Sequence, residues 1–336
     1  MREELLVTLR HNPHVDPVLS IWGWEISIYL FLGGLTAGLM FFAGLLTLLR
    51  KDRTAPFATT RLALIAPLVL SVGMTTLFLD LEYKLHVFRF YLTLRPSSPM
   101  SWGSWILILV YPVIIVQALS TLRRGWPRLA GWLERLPLGR WLLDLCERLR
   151  RPAAAAALPV GVALAIYTGI LLSAFAARPF WNTGLLGVLF LVSGLSTGAA
   201  LAALLAREPA ERRWFVRTDL GLILVEMLIV GLLVINLATG ARPQLEAARH
   251  ILGGDYTLAF WILFFTVGLA VPVLIEAFEP LGLGRVAMLA PVLVLVGGYV
   301  LRDVTVRLGQ ETTWIDYTSE YDAALLQRVE TRSAGP

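Results

Sequence analysis

The sequence predicts an all-α integral membrane protein, with eight transmembrane helices forming two four-helix bundles related by a parallel internal repeat. Three observations carry this expectation. The 336 residues are 57% hydrophobic and only 16% charged, with a mean hydropathy of +0.70. Soluble domains carry roughly 25% charged residues, and a soluble core has too little interior to hide so much apolar surface. The same composition excludes disorder, which needs low hydrophobicity. The apolar residues gather in eight runs of about the 20 residues that a helix needs to cross a bilayer. Short motifs also recur, in the same order, in the two halves of the chain.

The runs are Ile26–Leu49, Leu62–Leu79, Trp102–Leu122, Ala153–Ala177, Pro179–Ala206, Leu220–Ala241, Tyr256–Ile275 and Val286–Leu301, the last short and extending through Arg302. They are continuous, whereas the strands of a membrane barrel would alternate over about 10 residues. No cleavable signal peptide is expected. Glu3, Glu4, Asn12 and Pro13 stand where an apolar segment should lie, so the first run is read as the insertion signal.

Lysine and arginine set the orientation. One set of loops holds 17 of them, eight between Arg123 and Arg151, and the other set holds 12, spread over longer segments. The positive-inside rule then puts both termini outside and the 123–151 loop in the cytoplasm of an inner-membrane protein. Trp22, Trp24, Trp102, Trp105, Trp181 and Trp261 fall near outer span ends, and Trp126, Trp132, Trp141 and Trp214 near inner ones. They read as interfacial belts. The net charge of +5 reports basic inner loops rather than nucleic-acid binding.

The repeat pairs each span with the fourth one after it. Gly34-Leu-Thr-Ala-Gly38 in the first is echoed by Gly194-Leu-Ser-Thr-Gly198 in the fifth, 160 residues on. Arg61 before the second matches Arg217 before the sixth, and Trp105-Ile-Leu107 in the third matches Trp261-Ile-Leu263 in the seventh, both at 156 residues. Pro159 precedes Tyr167 in the fourth as Pro291 precedes Tyr299 in the eighth. An offset of four spans keeps both halves in one orientation, which defines a parallel repeat. The expected organisation is an external segment 1–21, a first bundle 22–178 with its basic loop 123–152, a second bundle 179–303 and an external tail 304–336. The glycine pairs, spaced i, i+4, either let helices approach closely or contact a ligand.

Ionisable groups inside a membrane are costly and mark candidate sites. Glu226 lies seven residues beyond Asp219 on the sixth span, roughly 10 Å deeper at 1.5 Å per residue, with Arg217 at the mouth below. These three read either as a proton relay or, for Glu226, as an interhelical hydrogen bond. The outer half is richer. Glu25 and Tyr29 share one face of the first span, Asp80 and Glu82 end the second, Tyr167 lies in the fourth, Arg178 and Asn182 follow it, and Asn236 is in the outer part of the sixth. His11 and His14 precede the first span. Such a set could line a pocket for a quinone head group, whose carbonyl oxygens need proton-passing partners. The plainer alternative is helix caps and interfacial polar residues.

One cysteine, Cys146, leaves no disulfide, Cys-ligated zinc site or iron–sulfur cluster within the protein. Of the four histidines, His86 and His250 lie in loops and His11 and His14 before the first span. A membrane haem held between facing helices by two histidines is therefore not expected.

The stretch Trp22-Gly-Trp-Glu-Ile-Ser-Ile-Tyr29 through Gly38 resembles the opening span of the NrfD-like proteins, the haem-free membrane subunits of polysulfide-reductase-type complexes. Tyr167-Thr-Gly-Ile-Leu-Leu-Ser173, Arg178-Pro-Phe-Trp-Asn182 and Gly194-Leu-Ser-Thr-Gly-Ala-Ala200 resemble the same family, and the likeness covers nearly all of residues 15–305. The resemblance implies a quinone, usually menaquinone, bound near the outer face. It also implies a four-cluster iron–sulfur subunit docking there and a molybdopterin catalytic subunit beyond, so that those partners hold the metal centres. It assigns the quinone pocket a histidine ahead of the first span, here His14 with His11 as the rival, and the fourth-span Tyr167. It further suggests a possible proton path through Glu226. The 123–151 loop and the tail after Arg302, with Trp314, Tyr317 and Tyr321, look longer than in compact members, and the tail reads as a clasp for the iron–sulfur subunit or as a loose interfacial segment. The expected function is thus a quinone-reactive subunit of a redox complex. A secondary transporter built from parallel repeats is the alternative.

Overall fold

The computed structural model describes residues 21–277 and 288–313. Among these residues eight helices are long and apolar enough to cross a membrane. In sequence order they are α1 (Trp24–Leu48), α2 (Ala58–Asp80), α3 (Pro99–Gly125), α4 (Arg150–Ser173), α5 (Leu185–Leu205), α6 (Pro209–Ala238), α7 (Leu258–Ala277) and α8 (Leu289–Glu311). The described residues contain no strand. The bilayer explains this: a spanning helix satisfies its own backbone hydrogen bonds where no water can.

Two boundaries differ from the sequence expectation by ten residues or more, and the fifth span starts at Leu185 rather than Pro179. Helix α6 starts at Pro209, because the turns carrying Arg212, Arg213 and Arg217 continue the helix below the apolar run. Helix α8 runs to Glu311, well beyond Leu301, and so includes the first residues of the expected external tail. Hydropathy marks where apolar residues stop, and a helix with continued tertiary contacts need not stop there. Helix α7 is wound as a π-helix over Leu258–Ala270 before continuing as an α-helix to Ala277.

The halves share one order of neighbours. Helix α1 packs on α2 and α4, and α3 on α2 and α4; α5 packs on α6 and α8, and α7 on α6 and α8. The halves meet where α1 lies along α5, with α4 against α5 and α8 against α1. The two glycine pairs lie at this seam, against each other. A Cβ on Gly194 would stand 2.8 Å from the Gly34 carbonyl oxygen, and one on Gly198 would stand 2.6 Å from the Gly38 Cα. Only glycine permits backbones this close.

Polar clamps tie both ends. At the end that carries the 123–151 loop, the buried Glu211 of α6 accepts the amide hydrogens of Phe57 and Ala58 (3.1 and 2.7 Å), capping the start of α2. At the opposite end, Gln310 of α8 accepts from the Trp22 amide (2.9 Å) and donates to its carbonyl (3.0 Å). Arg178, in the turn between bundles, donates to the carbonyls of Gln310 and Thr312, both at 3.1 Å.

The tryptophan belts need one correction. Trp24, Trp102, Trp105, Trp126, Trp132, Trp141 and Trp214 are exposed, as anchors should be. Trp181 is fully buried: its indole N–H donates to the Thr305 carbonyl (2.7 Å), and it packs on Trp22 and Phe175. It fills the space beside Gly309, where a Cβ would collide with the indole. Trp181 therefore belongs to the core at that end of the helices.

Candidate functional site

The four helices of the first bundle do not close at the end away from the 123–151 loop. They leave a cavity of about 500 Å³, within the usual range of roughly 300–1,000 Å³ for small-molecule sites. Helix α1 contributes Tyr29, α2 contributes Asp80, α3 contributes Ser104 and Tyr111, and α4 contributes Tyr167. A short helix, Phe88–Leu92, folds over the opening and adds Tyr91. Trp22, Leu30, Met74, Leu77, Leu107 and Leu172 form apolar wall. Four phenols and a carboxyl thus converge on an otherwise greasy chamber.

Gly103 explains the placement of one phenol. A Cβ there would overlap the Tyr167 ring and hydroxyl, so the absent side chain is the slot in which the phenol lies. Tyr29 and Tyr167 are buried. Outside the spans, burial and the neighbouring Tyr111 push the Tyr91 hydroxyl above the ordinary phenol range, so it stays a proton donor at neutral pH. Leu81, Phe90 and Met100 also face a second, more open cavity of about 540 Å³, lined by Glu82, His86, Arg89 and Arg95. The cavity therefore has a basic antechamber.

The second bundle is polar in a different way. Its buried groups include Asp219 and Glu226 of α6, Glu276 of α7, Arg302 of α8, and Ser193 and Ser196 of α5. Ser196 donates to Asp219 Oδ1 (2.6 Å). Arg302 donates through Nη1 to Ser193 Oγ (2.5 Å) and the Gly298 carbonyl (2.9 Å), and its guanidinium lies 5.0 Å from the Phe190 ring centroid. Glu226 hydrogen-bonds Ser193 and has Arg302 as its opposing charge. Asp219 feels both Glu276 and Glu226. The guanidinium also reaches the seam: a Cβ on Gly34 would stand 3.0 Å from Arg302 Nη2.

The sequence-derived candidates separate into groups. Tyr29, Asp80 and Tyr167 come together in the cavity. Glu25 is half-buried at its rim, near enough to Asp80 to repel it electrostatically. Arg178 is spent on the Gln310 and Thr312 carbonyls, Asn182 is exposed in the turn, and Asn236 is exposed on α6, so none of the three lines the cavity. Glu226 and Asp219 are buried together, whereas Arg217 is exposed. His11, His14, Trp314, Tyr317 and Tyr321 lie outside the described residues. The sequence reading missed Tyr91, Tyr111, Glu276 and Arg302. Among the described residues, no three His, Cys, Asp or Glu side chains are grouped as metal ligands.

Fold and site together define a multi-pass helical membrane protein with a hydroxyl-lined chamber at one end of one bundle and a buried ionisable cluster in the other. Residues 10–313 match the family described as "Polysulphide reductase, NrfD", and the protein belongs to that family. It is 28% identical over 305 residues to one of the polypeptides of polysulfide reductase from Wolinella succinogenes, covering 86% of this sequence and 94% of that one. It is 30% identical over 304 residues to protein NrfD of Escherichia coli, covering 87% and 96%. A selenate reductase subunit of Mesobacillus selenatarsenatis is 24% identical over 293 residues, covering 76% of this sequence and 66% of its own.

Proposed function

We propose that this protein is the haem-free membrane anchor and quinone-binding subunit of a multi-subunit respiratory oxidoreductase. In this reading it exchanges electrons between a quinone, with menaquinone the expected type, and a peripheral iron–sulfur subunit docked at the outer face. A molybdopterin catalytic subunit lies beyond, and the membrane subunit is not catalytic alone. It sits in the inner membrane with both termini outside. The names of its relatives, subunits of polysulfide and selenate reductases, support a redox complex.

The observation that carries the reading is the composition of the cavity. A quinone head needs donors for its two carbonyl oxygens and apolar contact for its ring, and four phenols set in an apolar wall supply both. A bound quinone would supply two-electron, two-proton redox chemistry at this end of the bundle. Tyr167, held in the Gly103 slot, is the best-oriented donor to one carbonyl oxygen, and Tyr29, Tyr91 and Tyr111 offer donors around the remainder. Asp80, with Glu25 beside it, is suited to pass protons between the chamber and the outer surface. His14, or His11, completes the set by the family pattern. Glu226 and Asp219 form the proposed proton path from the inner side, now with Arg302 and Glu276 beside them.

The test is purification of the tagged protein in mild detergent, followed by organic extraction and identification of co-purifying polypeptides. Bound quinone, iron–sulfur and molybdenum partners and a spectrum free of haem bands are expected. A lone protein without quinone overturns the reading and leaves the transporter alternative. Tyr167→Phe should lower quinone turnover at least about 100-fold, the low end of what positioned proton donors contribute, with assembly intact. Normal turnover would remove Tyr167 from the site.

A further inference from the structure

The loop between α3 and α4 contains two short helices, Pro127–Leu133 and Gly139–Arg148. The second has three faces. Gly139, Leu143 and Cys146 are buried against the protein, where Leu143 joins Leu122 and Ala130 in a small core. Asp144 and Glu147 point to one side and grip Arg123 at 2.7 and 3.1 Å, with Glu134 of the loop holding the same guanidinium at 2.7 Å. The third face is apolar and open: Trp141 is 62% exposed and Leu145, one turn on, 37% exposed. Leu138 just before the helix (73%) and Trp132 and Leu129 of the first short helix (63% and 47%) extend this surface.

The charge arithmetic is lopsided. Glu134, Asp144 and Glu147 are the only carboxylates between residues 123 and 151, and Arg123 takes all three. Arg150 is held by Asp52 at 2.5 Å. Arg124, Arg128, Arg135, Arg140, Arg148 and Arg151 are exposed, and none makes an ion pair among the described residues. Six uncompensated guanidiniums therefore border an exposed tryptophan and leucine surface at the ends of two spanning helices. An amphipathic helix with a basic border and tryptophan on its apolar face suits the plane of a bilayer surface, and guanidinium matches phosphate oxygens in geometry as well as charge.

We propose that this loop is a binding platform for anionic phospholipid head groups in the leaflet next to it, with Trp132 and Trp141 seated among the acyl chains and Arg128, Arg135 and Arg140 on the phosphates. Its carboxylates are sequestered on Arg123, which keeps them off the lipid-facing arginines. The platform fixes the inner end of the first bundle to the membrane plane.

The experiment uses the full-length protein in phosphatidylcholine nanodiscs with or without phosphatidylglycerol, reading the melting temperature and, by native mass spectrometry, the phosphatidylglycerol retained. Phosphatidylglycerol should raise the melting temperature and remain bound. The Arg128→Gln, Arg135→Gln, Arg140→Gln triple variant should lose the rise, with retention weakened about fivefold per arginine, the equivalent of roughly 1 kcal/mol per basic residue. The corresponding lysine variant should keep most of it, which separates charge from damage to the fold. An equal rise in wild type and the glutamine variant overturns the proposal. So does a rise reproduced by inorganic phosphate in phosphatidylcholine discs, or one that tracks pairing of two protein copies.

Discussion

The two bundles have the same neighbour order but different interiors. The first is hollow at one end and lined mainly with phenols, groups that give hydrogen bonds without carrying charge, with Asp80 the one carboxyl among them. The second, apart from Glu211 at its end, gathers three buried carboxyls and a guanidinium beside buried serines. The same arrangement of four helices thus accommodates a phenol-lined cavity in one half and an ionisable cluster in the other. The difference rests on side chains: Gly103 opens a slot for Tyr167 in the first, and Arg302 offsets the charge of Glu226 in the second. The glycine seam puts Arg302 against Gly34, one and a half turns along α1 from the chamber residue Tyr29, so the two interiors are neighbours.

The largest expected effect breaks the second interior. Arg302→Met removes the opposing charge of Glu226 and the donor to Ser193 and the Gly298 carbonyl, and should cost about 3 kcal/mol, the upper end for leaving buried polar groups without their partner; the yield of folded protein in membranes and its melting temperature would report it. Wild-type stability in that variant would mean that Glu226 does not depend on Arg302. Next is the seam. Gly38→Val would drive a side chain into the Gly194 carbonyl and should destabilise by about 1–3 kcal/mol, an overpacking cost. Melting followed by proteolysis of each half should show both bundles loosening together; loss of one alone would argue that they fold independently.

Gly103→Ala tests the first interior. It displaces the Tyr167 phenol while leaving α5–α8 untouched, and quinone turnover should fall about 100-fold, as misplacement of a reacting group by an ångström can do. Unchanged turnover would show that the slot does not matter. Glu226→Gln should have the smallest effect on electron transfer. It should instead lower the protons moved per turnover in reconstituted vesicles, and an unaltered ratio would remove Glu226 from any proton path.

How much of this was legible beforehand depended on the local signal. Spans could be read because bilayer helices are continuous apolar runs, and Glu226 stood out because a carboxyl in such a run has no other explanation. Arg302 and Glu276 were hidden because each lies just past the end of an apolar run, where a charged side chain reads as reaching for the interface. Helix α8 continues to Glu311, so Arg302 is interior, and Glu276 is buried near the end of the described part of α7. Tyr111 was missed because one phenol in an apolar span is inexpensive and common. Asn236 could not be set aside from periodicity, because it stands seven residues beyond the buried Ile229 on the same side of α6, yet it is itself exposed. The cavity itself could not be read, since it depends on Tyr91 of the outer loop meeting four helices.

The clamp between Trp22 and Gln310 bears on the order in which the molecule is built. Its partners are separated by 288 residues, and proteins generally fold from the N-terminus as they are synthesised. Trp22 forms part of the chamber wall, yet its backbone partners arrive only with the last helix. The chamber in the first half therefore acquires its finished wall after the second half has been inserted. A ribosome that stops before α8 leaves behind a bundle with a doorway and no frame.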